Sequence, residues 1–365
     1  MRALILSCKT GGGHNACAKA IQEELESRNI EVTFLDPFSL KSEKSAENVG
    51  SLYVNMVRVA PLLFGFIYNC GDIYNNIFSR SPVYSFCKKN SIYLEEYLKN
   101  NHFDIIISTH LYPQLMLKAL KEKGVSFKDI FVATDYECIP FANECNPNFY
   151  VIPSKQLVNR YIERKIDKDK LLPFGIPVAR KFSEDYDIKS TISKLGLDPN
   201  YKYIMVSTGS IGNNCLHKII KKILKIIKNK QIKIIVVCGN NKKIYDKLNN
   251  KYQNNNHLIF LFNCDICDYM KISNMYIGKP GGLSSSEILA LGKTLYLYKA
   301  IPGVESRNYK YLLKEKQAYK FRYKDILKIL DENNKTNKMV KSDSYYASKR
   351  LGDFISNEIF KDKET

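Results

Sequence analysis

Residues 277–308 read IGKPGGLSSSEILALGKTLYLYKAIPGVESRN, and the fold is decided here. Met275, Tyr276 and Ile277 form an apolar, strand-like run that breaks into Lys279-Pro280-Gly281-Gly282. Ser284 to Ser286 predict a helix start, with Glu287 in its first turn and Ile288, Leu289 and Leu291 on its apolar face. Glycines between strand and helix let backbone N–H groups approach a ligand, and a helix N-terminus favours negative charge. Such a turn suits a diphosphate. Glu287, one turn in, suits ribose hydroxyls, which donate to a carboxylate. The strand–turn–helix pattern then repeats through residues 294–298, the Pro302-Gly303 turn and residues 305–308. Polar groups on that second turn are placed to reach a sugar attached to the diphosphate.

The front of the chain has the same grammar. Residues 2–8 are a buried-type strand running into Lys9-Thr10-Gly11-Gly12-Gly13-His14-Asn15. A helix follows with Ala16, Cys17, Ala20, Ile21 and Leu25 on one face, then a strand at residues 31–35. This β–loop–α–β unit starts a doubly wound α/β sheet. The loop is neither G-x-G-x-x-G nor a P-loop, since no Gly-Lys-Ser/Thr closes it. His14 sits at the mouth of the turn, above a strand's carboxyl end, where ligands of such sheets bind. With an ordinary pKa of ~6.5 it is mostly neutral at pH 7 and able to take a proton from a hydroxyl. A helix-start histidine bonded to backbone is the plainer reading of the residue alone.

A chain of 365 residues exceeds one compact core and fits two domains. Lys and Arg number 56 against 37 Asp and Glu, a formal charge of +19. That excess suits nucleic acid, an anionic membrane or an anionic ligand. No RNA-recognition, zinc-finger or helix-turn-helix signature supports nucleic acid. No apolar run approaches the ~20 residues of a bilayer span, and residues 1–8 are too short for a signal peptide, so a cytoplasmic chain is expected. The 10 cysteines lack framework spacing and read as reduced thiols. Cys264 and Cys267 form a single C-x-x-C without the second pair that a zinc finger needs.

Residues 51–86 differ in character. Leu52, Tyr53, Met56, Leu62, Leu63, Phe64, Phe66, Ile67 and Tyr68 are interrupted by Pro61 and Gly65 and accompanied by Arg58, Arg80, Lys88 and Lys89. Two readings stand: a segment lying on a bilayer surface, or a helical pair packed on the domain core. Further strands at residues 104–108 and 130–133 end in Thr109-His110 and Thr134-Asp135-Tyr136, and another spans residues 149–153. A polar linker is expected at residues 179–200. Residues 201–208 then open a second α/β unit through Gly209-Ser210-Ile211-Gly212. In the next helix Ile219, Ile220, Ile223, Leu224 and Ile227 form a stripe backed by Lys218, Lys221, Lys222, Lys225 and Lys228, which reads as a sheet-covering helix with a solvated basic side or as a membrane face. Strands at residues 232–238 and 258–261 continue the sheet. Residues 323–330 and 344–360 have helical patterns around a polar loop at 333–342.

The order Lys279-Pro280-Gly281-Gly282-Leu283-Ser284, then Glu287, then Ile301-Pro302-Gly303-x-Glu305-x-x-Asn308 resembles the donor signature of the bacterial and plastid diacylglycerol glycosyltransferases. That family comprises the monogalactosyldiacylglycerol synthases and processive diacylglycerol glucosyltransferases, related to the murein glycosyltransferase that makes lipid II. Thr10 to His14 match its T-G-G-G-H pattern, and residues 175–178 its G-I-P-V segment. The resemblance implies a GT-B fold of two doubly wound Rossmann-like domains facing a cleft. Residues 1–178 would take the acceptor and the membrane, with the 344–365 tail packing back on them, and residues 179–343 the nucleotide sugar.

It implies an inverting, metal-independent transfer of a hexose from a UDP-sugar to a membrane lipid such as diacylglycerol. His14 would be the base, and Asp135 would orient the acceptor or tune His14. The donor would meet Gly209, Ser210, Gly212 and Phe262, the Lys279–Ser284 turn, Glu287, and Pro302, Gly303, Glu305 and Asn308. The acceptor would meet Gly12, Gly13, Asn15, Tyr53, Phe64, Phe66, Tyr68, His110 and Tyr136. The implied partners are a UDP-sugar, a lipid acceptor and the anionic cytoplasmic face of a membrane, with no nucleic acid and no cofactor. Val304 replaces a Gln common in the family, which bears on sugar contacts, so glucose, galactose and N-acetylglucosamine stay open; Ser284 for a Thr and Asn274 for an Asp are milder departures. A polyprenyl-linked or soluble acceptor, or a regulator that binds nucleotide sugar without turnover, are the alternatives.

Overall fold

The computed structural model describes residues 1–9, 12–77, 80–209, 215–332 and 342–359, with backbone alone at some helix positions, Tyr53 and Phe64 among them. The chain divides into two compact units. Unit 1 holds Met1–Arg180, Ile301–Asn308 and Asp343–Thr365; unit 2 holds Lys181–Ala300 and Tyr309–Ser342.

In unit 1 the strands are β1 (Arg2–Leu6), β2 (Glu31–Leu35), β3 (Ile105–Ser108), β4 (Asp129–Val132), β5 (Phe149–Val151) and β6 (Leu171–Leu172). They form one sheet in the order β2-β1-β3-β4-β5-β6 with every pairing parallel. Strands covered on both faces need continuous apolar runs, and β3 and β4 are buried at every position. The strand order reverses at β1, whose neighbours are β2 and β3. Open α/β sheets bind ligands beyond the strand carboxyl ends at such a reversal.

One polar network ties this sheet to its covering helix. Asp129, fully buried at the start of β4, accepts from Gln114 Nε2 (2.7 Å) and Lys121 Nζ (2.5 Å) of the Leu111–Glu122 helix. The Asn148 backbone N–H adds a third bond at 2.8 Å. A buried carboxylate costs little only when it is so surrounded.

Three helices, Glu43–Val59, Pro61–Ile77 and Pro82–Asn100, account for most of the described residues between 51 and 86. Pro61 and Pro82 each stand at the first position of a helix, where a missing N–H is harmless. Ile301–Asn308, kept with the second domain in the sequence reading, lies in unit 1 because its residues make their contacts there. A Cβ at Gly65 would meet the Pro302 Cβ at 2.4 Å, so the Pro61–Ile77 helix can approach Pro302 only through a glycine. Arg307 pairs with Asp72, which Arg164 also holds at 2.5 Å. In the C-terminal segment, Asp353 pairs with Arg28 at 2.7 Å, and the 343–344 backbone leaves no room for a side chain at Gly175 (φ +101°).

In unit 2 the strands are β7 (Lys202–Ser207), β8 (Ile232–Val237), β9 (Leu258–Leu261), β10 (Met275–Gly278), β11 (Leu295–Leu297) and β12 (Ala318–Lys320). Their order, β12-β11-β10-β7-β8-β9, is the Rossmann order, again all parallel, with its reversal between β7 and β10. The isoleucine stripe Ile219, Ile220, Ile223 and Ile227 packs into the core with Ile204, Val206, Ile234 and Val236, so the Cys215–Ile227 helix covers the sheet. The expected linker at 179–200 contains the Ile188–Lys194 helix, capped by Asp187, with Thr191 and Ile192 buried. The helix after β10 starts earlier than the serines suggested. It runs Gly282–Ala290 with Gly281 as its cap residue, because extended Gly281 (φ −72°, ψ 138°) already turns the chain. Ser286 instead donates to the Gly282 carbonyl at 2.9 Å, and Glu287 falls in the second turn.

Candidate active site

At the reversal in unit 1, the carboxyl ends of β1, β3 and β4 converge on one imidazole. His14 lies in the first turn of the Gly12–Glu26 helix that follows β1. Its Nδ1 is 2.9 Å from the Thr109 carbonyl, just past β3, and 2.9 Å from Thr134 Oγ1, just past β4. A carbonyl only accepts, so Nδ1 carries the proton and Nε2 keeps its lone pair. Thr109 Oγ1 returns a bond to the His14 carbonyl at 3.2 Å. Burial holds the His14 pKa below its ordinary value, against the opposing pull of the Asp135 carboxylate. The ring is therefore neutral at pH 7, with an accepting Nε2.

His110 stands edge-on to His14 with ring centroids 4.6 Å apart. It caps the Leu111–Glu122 helix, its Nδ1 accepting from the Tyr112 N–H at 3.2 Å. That bond fixes the opposite tautomer, with the proton on Nε2. Burial, and then the neighbouring His14, push its pKa well down. The pair thus offers one acceptor and one donor side by side, without a net charge.

Both histidines line a cavity of about 530 Å³ in unit 1. The walls are mostly apolar, with Met56, Ile67, Phe86, Tyr112, Ile139 and Phe141 prominent, and Asp135 at the histidine end. Asp135 is held by Asn308, whose Nδ2 donates to Asp135 Oδ1 at 2.8 Å while its Oδ1 accepts the Tyr136 N–H at 2.8 Å. Asn308 is fully buried, so one side chain fixes the whole Asp135-Tyr136 wall.

The other predicted acceptor residues divide. Tyr68 lines the cavity, whereas Phe66 is 66% exposed on the outer face of the same helix. Gly12 and Gly13 open the His14 helix, and Asn15 accepts from Ser7 Oγ at 2.7 Å. Tyr136 is buried. Thr10 and Gly11, and the side chains of Tyr53 and Phe64, lie outside the described residues. Sequence reasoning missed the wall at Ile139 and Phe141; the apolar run after Thr134-Asp135-Tyr136 was its only signal.

At the reversal in unit 2, the β7 exit turns through Gly209 (φ +82°) and β10 leads to Lys279 and Pro280, then Gly281, which caps the helix. Ser210 and Gly212 lie outside the described residues. Leu283 is buried, and Ser284 Oγ reaches the Gly281 carbonyl at 3.5 Å. Burial pushes the Glu287 carboxyl up to about 8, in spite of Lys181. Phe262 is half-buried, its ring 5.4 Å from that of Tyr245. Of the second turn, Gly303 has φ +101° and Glu305 Oε2 accepts the Ile301 N–H at 2.8 Å, both within unit 1.

Residues 14–178 match the monogalactosyldiacylglycerol (MGDG) synthase family, and residues 203–354 match the glycosyltransferase family 28 C-terminal domain. The processive diacylglycerol beta-glucosyltransferase of Bacillus subtilis is 25% identical over 313 residues, 84% of this chain and 80% of that enzyme. Among solved structures, Acinetobacter baumannii MurG aligns with a TM-score of 0.60 at 14% identity, over 97% of this chain and 99% of its own. A UDP-GlcNAc 2-epimerase from Neisseria meningitidis aligns with a TM-score of 0.59 at 12% identity, over 98% and 100%. The fold is GT-B.

The Asn308 clamp has a measurable consequence. Asn308→Leu leaves the Asp135 carboxylate and the Tyr136 N–H without this partner, and should lower unfolding free energy by about 1–3 kcal/mol in chemical denaturation. A variant as stable as wild type would show that the clamp holds nothing.

Proposed function

We propose that this chain, whose residues 14–178 match the monogalactosyldiacylglycerol (MGDG) synthase family and residues 203–354 the glycosyltransferase family 28 C-terminal domain, transfers a hexose from a UDP-sugar to the hydroxyl of a diacylglycerol-class lipid, with inversion. The observation that carries this reading is the apolar cavity of about 530 Å³ with the neutral His14 imidazole in its wall. Acyl chain in the cavity would bring the acceptor hydroxyl to Nε2.

The hydroxyl proton passes to His14 Nε2 as its oxygen bonds to the anomeric carbon. The bond from that carbon to the UDP oxygen breaks on the opposite face, and UDP leaves with the electron pair. His14 becomes an imidazolium, which the Asp135 carboxylate stabilises. The backbone N–H groups opening the Gly282–Ala290 helix, with Lys279, receive the charge that grows on the diphosphate. Glu287 holds the ribose. General-base help is worth ~10²–10⁴ in rate, which sets the expected loss without His14.

The lipid must be drawn from a bilayer. No described helix is long and apolar enough to cross one. Leu62 and Phe66, exposed at 77% and 66%, lie on the Pro61–Ile77 helix that also contributes Ile67 to the cavity, on a chain of charge +19. Those exposed apolar side chains, with the positive charge of the chain, support peripheral docking of this face on an anionic bilayer.

UDP release from UDP-glucose, UDP-galactose and UDP-N-acetylglucosamine, with and without diacylglycerol vesicles, tests the reading. Wild type should release UDP from one donor only when vesicles are present, and His14→Ala should lose ~10²–10⁴ of that rate. The acidic limb of kcat/KM should lie below pH 6.5, since the base must be neutral and its pKa is lowered. Lipid-independent release points to a soluble acceptor or hydrolysis, and UDP binding without release to a regulator.

Docking is tested separately by sedimentation with anionic vesicles. Leu62→Asp with Phe66→Asp should weaken binding at least about tenfold, since burying each side chain is worth ~1.5–3 kcal/mol. Unchanged binding would place the membrane surface elsewhere.

A further inference from the structure

Unit 2 carries a second cavity that the transfer reaction does not use. It measures about 210 Å³ and lies between the Cys215–Ile227 and Lys242–Tyr252 helices. Leu216, Ile244 and Leu248 line it together with His217, Lys218, Lys247 and Lys251. The three apolar residues are buried, while the three lysines are exposed. A pocket whose polar lining is wholly cationic or imidazole is built for a negative ligand.

Three observations sharpen this. First, the two helices carry eight lysines and a single carboxylate, Asp246, which pairs with Lys242 at 3.1 Å. Among the described residues no carboxylate pairs with Lys218, Lys247 or Lys251. Second, His217 Nε2 is buried and has no hydrogen-bond partner among the described residues. A buried polar atom left this way is normally answered by a ligand or water. Third, His217 falls in the first turn of a 13-residue helix, whose N-terminal end favours an anion.

The geometry points to an anion site in this pocket, taking a phosphate-class ligand, with the lysine ammonium groups around it and the His217 imidazole donating from Nε2. The site is independent of the transferase reading, because neither His14 nor the Gly281-Gly282 turn contributes to it. Burial lowers the His217 pKa first, then Lys251, Lys221 and Lys247 add their repulsion. Tyr252 also faces the ring, with centroids 6.0 Å apart. An anion among those lysines reverses the repulsion, so the bound state favours imidazolium and raises the His217 titration midpoint. The same chemistry is presented by free phosphate and by the phosphomonoester of a lipid headgroup.

The test follows the His217 side chain by NMR in the full chain, titrated at constant ionic strength with inorganic phosphate, then with phosphatidylcholine vesicles with or without phosphatidic acid. A saturable shift of His217, a raised titration midpoint and an affinity lowered about tenfold in Lys247→Ala/Lys251→Ala are expected. Phosphate alone acting identifies a soluble anion, and phosphatidic acid alone a headgroup; either supports the site. No saturable shift with either probe overturns it. So does an equal shift with chloride, or an affinity unchanged in the double variant. A resonance of unit 2 that responds to UDP, recorded in the same sample, shows that the protein is folded and keeps failure of this site distinct from failure of nucleotide binding.

Discussion

The structure of unit 1 turns on how one imidazole is held. Three neighbouring strands, β1, β3 and β4, each deliver a group to His14: the helix that carries it, the Thr109 carbonyl and the Thr134 hydroxyl. Because a carbonyl cannot donate, this arrangement chooses the tautomer and leaves Nε2 as the accepting nitrogen. Burial keeps the ring neutral, while Asp135 stands ready to favour the charged form once a proton arrives. A base held this way needs no rearrangement in order to act.

Around that base the protein has placed little besides carbon. The cavity walls come from the Glu43–Val59, Pro61–Ile77 and Pro82–Asn100 helices and from the residues after β4. An apolar chamber ending in a neutral histidine pair differs from the usual water-filled nucleotide cleft, and it suits an acyl chain. Packing of the Pro61–Ile77 helix depends on Gly65, the point at which Pro302 approaches. Arg307 and Asn308 then join the same short segment to Asp72 and Asp135. Residues 301–308 therefore brace the wall of the cavity, whatever else they touch.

Much of this was legible in the sequence, for physical reasons. Short apolar runs that end in polar, proline or glycine breaks have few uses except as buried parallel strands, so β1, β2, β7 and β9 were readable nearly to the residue. His14 stood out because its loop needed no side chain there, and Lys279 to Gly282 because two adjacent glycines at a strand exit imply a close backbone approach. The start of the Gly282–Ala290 helix was misplaced, since serines cap helices well and nothing local says that Gly281 does so first. The cavity was not legible. Its walls come from segments far apart in the chain, and an apolar helical stripe looks alike whether it faces a core, a cavity or a bilayer. Nor could spacing show that Asn308 reaches Asp135, a contact across 173 residues.

The most direct test of the central claim is where an acceptor lipid sits. A diacylglycerol bearing a photoreactive diazirine in one acyl chain, irradiated with the protein in vesicles and mapped by mass spectrometry, reports that position. The account predicts adducts on cavity-lining residues such as Met56, Phe86 and Phe141, displaced by excess unlabelled diacylglycerol. Adducts confined to exposed residues such as Leu62 and Phe66, unaffected by that competitor, would contradict it.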